Sequence, residues 1–197
     1  MTAKAEDRRV RRTRQQLLDA LMDLILEKGY EAVTVQEIID KADVGRSTFY
    51  AHFLDKQQLL LSGFDQLRAF LLEQQLAALA GPGARRPLGF SRALFDHAES
   101  NYRTFKATLG KQSGAIVQEQ MQRILGDLVR KELTALVASH GPSRVPLEVV
   151  VQYTVSAFLG LIAWWLDQKM PYSAEEMDQT FRSLTLPGIM VALGLPS

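Results

Sequence analysis

Apolar residues recur along this chain at spacings of three and four almost from end to end, the period of a helix buried on one face. Leu17, Leu21, Leu24 and Ile25 give the inner face of a first helix, ended by Gly29. Val35, Ile38, Ile39 and Ala42 predict a short second helix, and Phe49 and Phe53, four apart, a short third. Leu60, Phe64, Leu67 and Leu71 predict a longer one over residues 56–80. Residues 81–87, rich in Gly and Pro, read as a loop. Leu94, Ala98, Tyr102 and Phe105 mark the next helix, with Gly110 and Gly114 bracketing a break. A long helix is expected over residues 115–139, with Met121, Leu125, Leu128 and Val129 inward, ended by His140, Gly141 and Pro142. An eighth runs from Pro146, a good first-turn residue, to Lys169. A ninth starts at Ser173, which stands three residues before Glu176 as in a capping box; Pro187 and Gly188 should kink or split it. There is no strand-like alternation and no repeat. The chain reads as all-α with about nine helices: an N-terminal arm and three-helix unit over residues 1–54, then a larger helical domain over residues 55–197.

The polar positions around the second and third helices carry the chemistry. Thr34 and Glu37 form a capping box that fixes where the second helix begins. Asp43, Val44 and Gly45 make a turn: Gly45 accepts unusual backbone angles, and Asp43 tolerates the left-handed region better than most residues. With Phe49 and Phe53 inward, the third helix presents Arg46, Ser47, Thr48, Tyr50, Ala51 and His52. Two short helices, a tight turn and an exposed polar second helix form a helix-turn-helix that enters the DNA major groove. Arg46 can donate two bonds to a guanine edge, Ser47 and Thr48 allow close approach, and the Ala51 methyl can meet a thymine methyl. Tyr50, His52 and Lys56 reach for phosphates, which sets register, and the helix start at Thr34 and Gln36 offers backbone N–H groups. Asp55 with Gln58 caps the fourth helix.

The ordered set Gly29-Tyr30, Thr34-Val35, Ile38, Ala42, Val44, Thr48-Phe49-Tyr50, His52-Phe53, Lys56 and Leu59 resembles the TetR/AcrR family of bacterial transcriptional regulators. The likeness covers residues 17–59. Two turn positions depart from the family pattern, Asp43 where Gly is usual and Gly45 where Ser is frequent. The resemblance implies an effector pocket in the larger domain, for which Phe70, Phe95, Tyr102, Phe105, Met121 and Ile124 are the candidates, each equally readable as plain core. Glu99, Asn101, Arg103 and Gln118 are candidate polar contacts.

The eighth helix is apolar nearly all round, and Ala157, Gly160 and Ala163 would admit another helix closely. A single chain of this size would struggle to cover it together with Met177, Phe181, Leu184 and Ile189. A symmetric four-helix interface between two copies is the expectation, with Phe158, Leu161, Ile162, Trp165 and Phe181 at the contact; in the family the last two long helices pair this way. Trp164 and Trp165 individually read as core. Two copies place two reading helices about one DNA turn apart, which suits a palindromic operator. The reading is a dimeric repressor released by a small-molecule effector.

Net charge is only +1, so basic character is local. Lys4, Arg8, Arg9, Arg11, Arg12 and Arg14 cluster at the N-terminus, either as an arm that follows the DNA backbone or enters the minor groove, or as a solvated tail. Absence of cysteine excludes a disulfide framework and cysteine-based metal sites. No apolar leader stands at the N-terminus, and the longest apolar stretch, residues 155–166, is short of the ~20 residues a bilayer needs. The expectation is a cytoplasmic protein with no membrane partner. No phosphate loop, GxSxG or HExxH is present, and His52, His97 and His140 lie far apart. Asp96 and Glu99 share a helix face that reads as solvated. No enzyme activity, cofactor or metal is expected.

Overall fold

The computed structural model describes residues 2–80, 87–108, 111–140 and 143–194. Among them lie nine α-helices and no strand: α1 (Thr2–Lys28), α2 (Val35–Ala42), α3 (Arg46–His52), α4 (Lys56–Ala80), α5 (Phe90–Ser100), α6 (Tyr102–Thr108), α7 (Lys111–His140), α8 (Leu147–Asp167) and α9 (Ala174–Leu193), with one 3-10 turn at Tyr30–Ala32. They form two compact units. The first comprises Met1–Leu67 with Arg103–Val117, the second Arg68–Tyr102 with Gln118–Ser197.

In the first unit, α2 and α3 are eight and seven residues long. Helices that short are unstable alone, so burial must hold them. Ile38, Ile39, Phe49 and Phe53 are buried together with Leu17, Leu21 and Ile25 of α1 and Leu59 and Leu60 of α4. Each such side chain contributes roughly 1.5–3 kcal/mol on leaving water. Gly29 ends α1 at φ +80° and ψ 152°, a region essentially reserved for glycine.

In the second unit an aromatic cluster forms the core. The Phe158 ring lies 5.2 Å from Phe90, 5.0 Å from Phe95 and 5.0 Å from Phe181, and Phe95 meets Trp165 edge-on at 5.4 Å. Trp165 also donates its indole N–H to the Tyr172 carbonyl at 2.8 Å. Gly89 starts α5 so close to α4 that a Cβ there would stand 2.5 Å from the Ala78 Cβ. An ion pair of Arg130 with both Glu148 oxygens, 2.9 and 2.8 Å, ties α7 to α8.

Several expectations change. Phe158, Ile162, Trp165 and Phe181 are buried within their own chain, so they cannot form the surface of a dimer contact. The outward face of α8 and α9 carries Val149, Tyr153, Gly160, Trp164, Leu184 and Val191 instead. Trp165 is core as expected, whereas Trp164 is 45% exposed. Helix α8 has 21 residues and holds an 18-residue window of mean hydropathy 1.7, long and apolar enough to cross a membrane by length and composition alone; 44% of that window is buried inside the protein, and a core helix meets the same description. The helix is longer than the apolar stretch 155–166 because it extends back through Glu148, Gln152 and Tyr153.

The break expected at Gly114 is absent, since α7 already starts at Lys111. The single helix expected around Leu94 to Phe105 is two, parted at Asn101, whose side chain donates to the His97 carbonyl at 2.8 Å. Pro187 does not split α9, because its missing hydrogen bond falls on the solvent side, where Ser183 is exposed. The basic N-terminus is no loose arm but the first turns of α1. Expectations for residues 81–86, Gly110, Gly141 and Pro142 lie outside the described residues.

Candidate nucleic-acid interface

The helix-turn-helix is built on caps. Glu37 N–H donates to Thr34 Oγ1 at 3.3 Å, while the Thr34 N–H and hydroxyl donate to Glu37 at 2.9 and 2.8 Å. Lys28 at the end of α1 pairs with the same carboxylate. These donors hold the Glu37 carboxyl at about 2, the Lys28 bond being the largest cause. The Thr34 donors are therefore engaged within the protein, and the N–H groups that face outward at this helix start are those of Val35 and Gln36. The Gln36 side chain is bonded to Asp40 at 2.8 Å. Lys41 closes the other end of α2 onto α1 through Glu27 at 2.7 Å.

The turn differs in detail from expectation. Asp43 carries the left-handed conformation, φ 51° and ψ 49°, while Gly45 is extended at φ −71°. Glycine is thus not required at position 45, where a Cβ would meet nothing nearer than Thr48 Oγ1 at 3.6 Å.

Helix α3 buries Phe49 completely and exposes Arg46, Ser47, Tyr50 and Ala51, with Thr48 and His52 half-buried. The Arg46 guanidinium rests over the Tyr50 ring at 5.6 Å, and no acidic residue occurs on α3. All four expected base-contacting residues, Arg46, Ser47, Thr48 and Ala51, retain solvent access on this one short helix. Leu54, just beyond it, is 77% exposed, an apolar tip that helical periodicity did not single out.

Lys56 takes a role other than the one expected. Its ammonium donates to the carbonyls of Val33 at 2.7 Å, Tyr30 at 2.9 Å and Glu31 at 3.3 Å, and lies 4.5 Å from the Tyr30 ring centroid. An ammonium has three N–H donors, so all are engaged. Lys56 locks the first turn of α4 to the segment that launches α2, and its charge faces inward. Asp55 and Gln58 cap the same helix reciprocally, Gln58 N–H to Asp55 at 2.7 Å and Leu54 N–H to Gln58 at 2.6 Å. On α1, Arg8, Arg11, Arg12 and Arg14 line an open groove with Ser62, Asp65 and Gln66 of α4, and Arg14 lies over Phe53 at 5.0 Å.

The expected pocket residues do not gather at one cavity. Phe95 is spent on the aromatic core, Met121 and Ile124 are buried, Phe70 is exposed against His97, and Phe105 belongs to the first unit while Tyr102 belongs to the second. A cavity of about 190 Å³ lies elsewhere, between α4 and α7, lined by Leu72, Gln75, Leu76, Pro87, Leu128, Lys131, Glu132, Ala135 and Leu136. Buried Glu132 accepts from the Leu88 N–H at 3.0 Å and from Gln75 Nε2 at 2.7 Å. Desolvation pushes its carboxyl above the ordinary range. The Gln75 Oε1 is buried with no partner, a state that costs roughly 1–3 kcal/mol. A signal existed in the sequence: Gln75 continues the inward register of Leu67 and Leu71, and Glu132 that of Leu125, Leu128 and Val129. Polar residues at core positions mark networks or sites.

Residues 17–62 match the model of bacterial regulatory proteins of the tetR family, and residues 86–186 match a transcriptional regulator C-terminal region. The transcriptional regulator TcmR of Streptomyces glaucescens is 37% identical over 82 residues, 41% of this chain and 34% of its own length. The chain thus spans about a third of the length of such curated relatives. A solved structure from Syntrophomonas wolfei, assigned to the TetR family, superposes with TM-score 0.76 at 20% identity over 91% of this chain and 96% of that one. The TetR-family repressor FadR of Thermus thermophilus, solved with lauroyl-CoA, superposes with TM-score 0.63 at 24% identity over 89% and 94%. Two family models spanning the reading unit and the larger helical region, on a fold shared with solved members, place this chain in the TetR family of transcriptional regulators.

Proposed function

We propose that the protein is a cytoplasmic, dimeric repressor that reads a palindromic operator and is released by a small-molecule effector. Residues 1–54 are the reader and residues 55–197 the effector-binding and dimerisation domain. The observation that carries the reading is α3: seven residues, no acid, Phe49 buried and Arg46, Ser47, Tyr50 and Ala51 open to solvent. Arg46, Ser47, Thr48 and Ala51 contact bases; Gln36, Tyr50 and His52 contact phosphates, together with the N–H groups at the start of α2. Arginines of α1 add phosphate contacts from a helix.

Dimerisation is supported by the apolar outward face of α8 and α9, where Val149, Tyr153, Trp164, Leu184 and Val191 are exposed and Gly160 allows close approach. One half-site supplies too little discrimination, since each base pair is worth ~1–3 kcal/mol. An effector in the larger domain shifts occupancy only by its differential affinity for the reading and non-reading states. The lauroyl-CoA-bound FadR, of the same fold, supports the effector arm.

The test is footprinting on the DNA flanking the gene, at two salt concentrations, alongside sedimentation. A protected palindrome and a dimer at micromolar concentration are expected. Replacing Arg46 by Ala should remove discrimination at one base pair per half-site. A strict monomer, or protection no better than on random DNA across genome-wide selected fragments, sinks the reading.

A further inference from the structure

The α4–α7 cavity has a one-sided chemistry. Leu72, Leu76, Leu128 and Leu136 give it apolar walls, and Gln75 and Glu132 give it its buried polar groups. Gln75 is 4% exposed and its amide orientation is determined. Its Nε2 donates to two acceptors, the Leu128 carbonyl at 3.2 Å and Glu132 at 2.7 Å. Flipping the amide would set an oxygen against both. The free atom is therefore Oε1, an acceptor, and it is buried without a partner. Glu132 adds a carboxylate, again an acceptor, that already binds the Leu88 N–H. A complementary molecule must donate, and a buried carboxylate opposes an anion. The volume of about 190 Å³ suits a body of roughly one ring.

We propose that this cavity is the effector site, and that its ligand is a small, mainly apolar, non-anionic molecule whose single O–H or N–H donor bonds Gln75 Oε1. The assignment rests on the effector reading above and supplies its chemistry. Glu132 is a positioning group: it holds the amide so that the oxygen, not the nitrogen, is offered. Lys131 is exposed beside the cavity and leaves the buried end to acceptors alone.

The full-length protein is titrated with phenol, cyclohexanol, toluene and benzoate, with binding followed by calorimetry and ligand-observed NMR, and operator release by fluorescence anisotropy. Phenol or cyclohexanol should bind about fivefold to tenfold more tightly than toluene, the return on one hydrogen bond, with benzoate weakest. Replacing Gln75 by Met should erase that preference and leave toluene binding intact. Should Gln75→Met fail to fold, Ala135→Leu, which fills the cavity and spares the polar pair, should abolish binding of every probe. Toluene binding as well as phenol in the wild type, benzoate binding best, or no probe binding at millimolar concentration overturns the ligand class. Donor-selective binding that leaves operator affinity unchanged upholds the class and defeats the effector role. Operator release by bulky or anionic compounds, with none of the probes bound, does the reverse.

Discussion

The two units are held together by different means. The larger one has Phe158 touching three other aromatic rings, all fully buried. The first unit has helices of eight and seven residues, and the outer faces proposed above to meet DNA stay polar. Such helices bury few groups each, so polar clamps at their ends complete the work: Thr34 with Glu37, Lys28 on Glu37, Lys41 on Glu27, and Lys56 on three carbonyls. A surface that must be presented cannot also be hidden, and its geometry is then set by directional bonds at its edges. The larger unit also carries directional bonds, among them the Ser173–Glu176 capping box and the Arg130–Glu148 pair, but adds to them an aromatic core held by non-directional burial.

That contrast can be broken most forcefully at the aromatic core. Phe158→Ala should cost about 3–5 kcal/mol, seen as a lowered unfolding midpoint in denaturant. An effect below about 1 kcal/mol would mean that the cluster is not the keystone. Next comes Lys56→Met, which keeps the stem and removes the ammonium from three carbonyls. It should cost roughly 1–3 kcal/mol of stability and weaken operator binding at a temperature where the variant stays folded by circular dichroism. The slope of log affinity against log salt should not change. A slope reduced by ~0.9 would return Lys56 to the phosphates.

Smaller effects sharpen the role of the caps. The Glu37 carboxyl is held at about 2 against an ordinary 4.5. A lowered folded-state value means stability that is fully present above 4.5 and lost as pH falls toward 2. The midpoint difference between wild type and Glu37→Gln should therefore be largest near neutrality and shrink across that window. A difference independent of pH would exclude the charge as the cause. Smallest is Gly45→Ser, at an extended N-cap that lacks a side-chain acceptor. It should gain no more than a few tenths of a kcal/mol and leave operator affinity as it is. A loss of affinity would show that the turn needs glycine after all.

Much of the reading unit was legible because its signals are local. A Thr three residues before a Glu at the head of an apolar helical run marks a helix start, and Phe49 and Phe53 share one face by spacing. The left-handed residue was assignable only to the pair Asp43 and Gly45, since both tolerate it, and the structure chose Asp43. The inward turn of Lys56 is not legible, because its partners are backbone carbonyls more than twenty residues upstream, which leave no trace in side-chain pattern. On α8, apolarity all round hides which face turns inward: the structure buries Phe158 and Trp165 and exposes Tyr153, with Leu184 exposed on α9. The cavity leaves no mark in apolar periodicity, because Gln75 and Glu132 are polar residues in an apolar register.

Helical character, the bounds of most helices, and a short helix with Arg46 and Tyr50 outward after a tight turn all follow from local pattern. Periodicity, caps and turn residues act within a few positions, and their energies do not wait for the rest of the fold. Tertiary structure decided which way Lys56 points, which side of α8 is core, that the basic N-terminus is helix, and where Gln75 and Glu132 meet. Those outcomes depend on groups distant in sequence competing for the same space and the same hydrogen-bond partners, and only packing settles that competition.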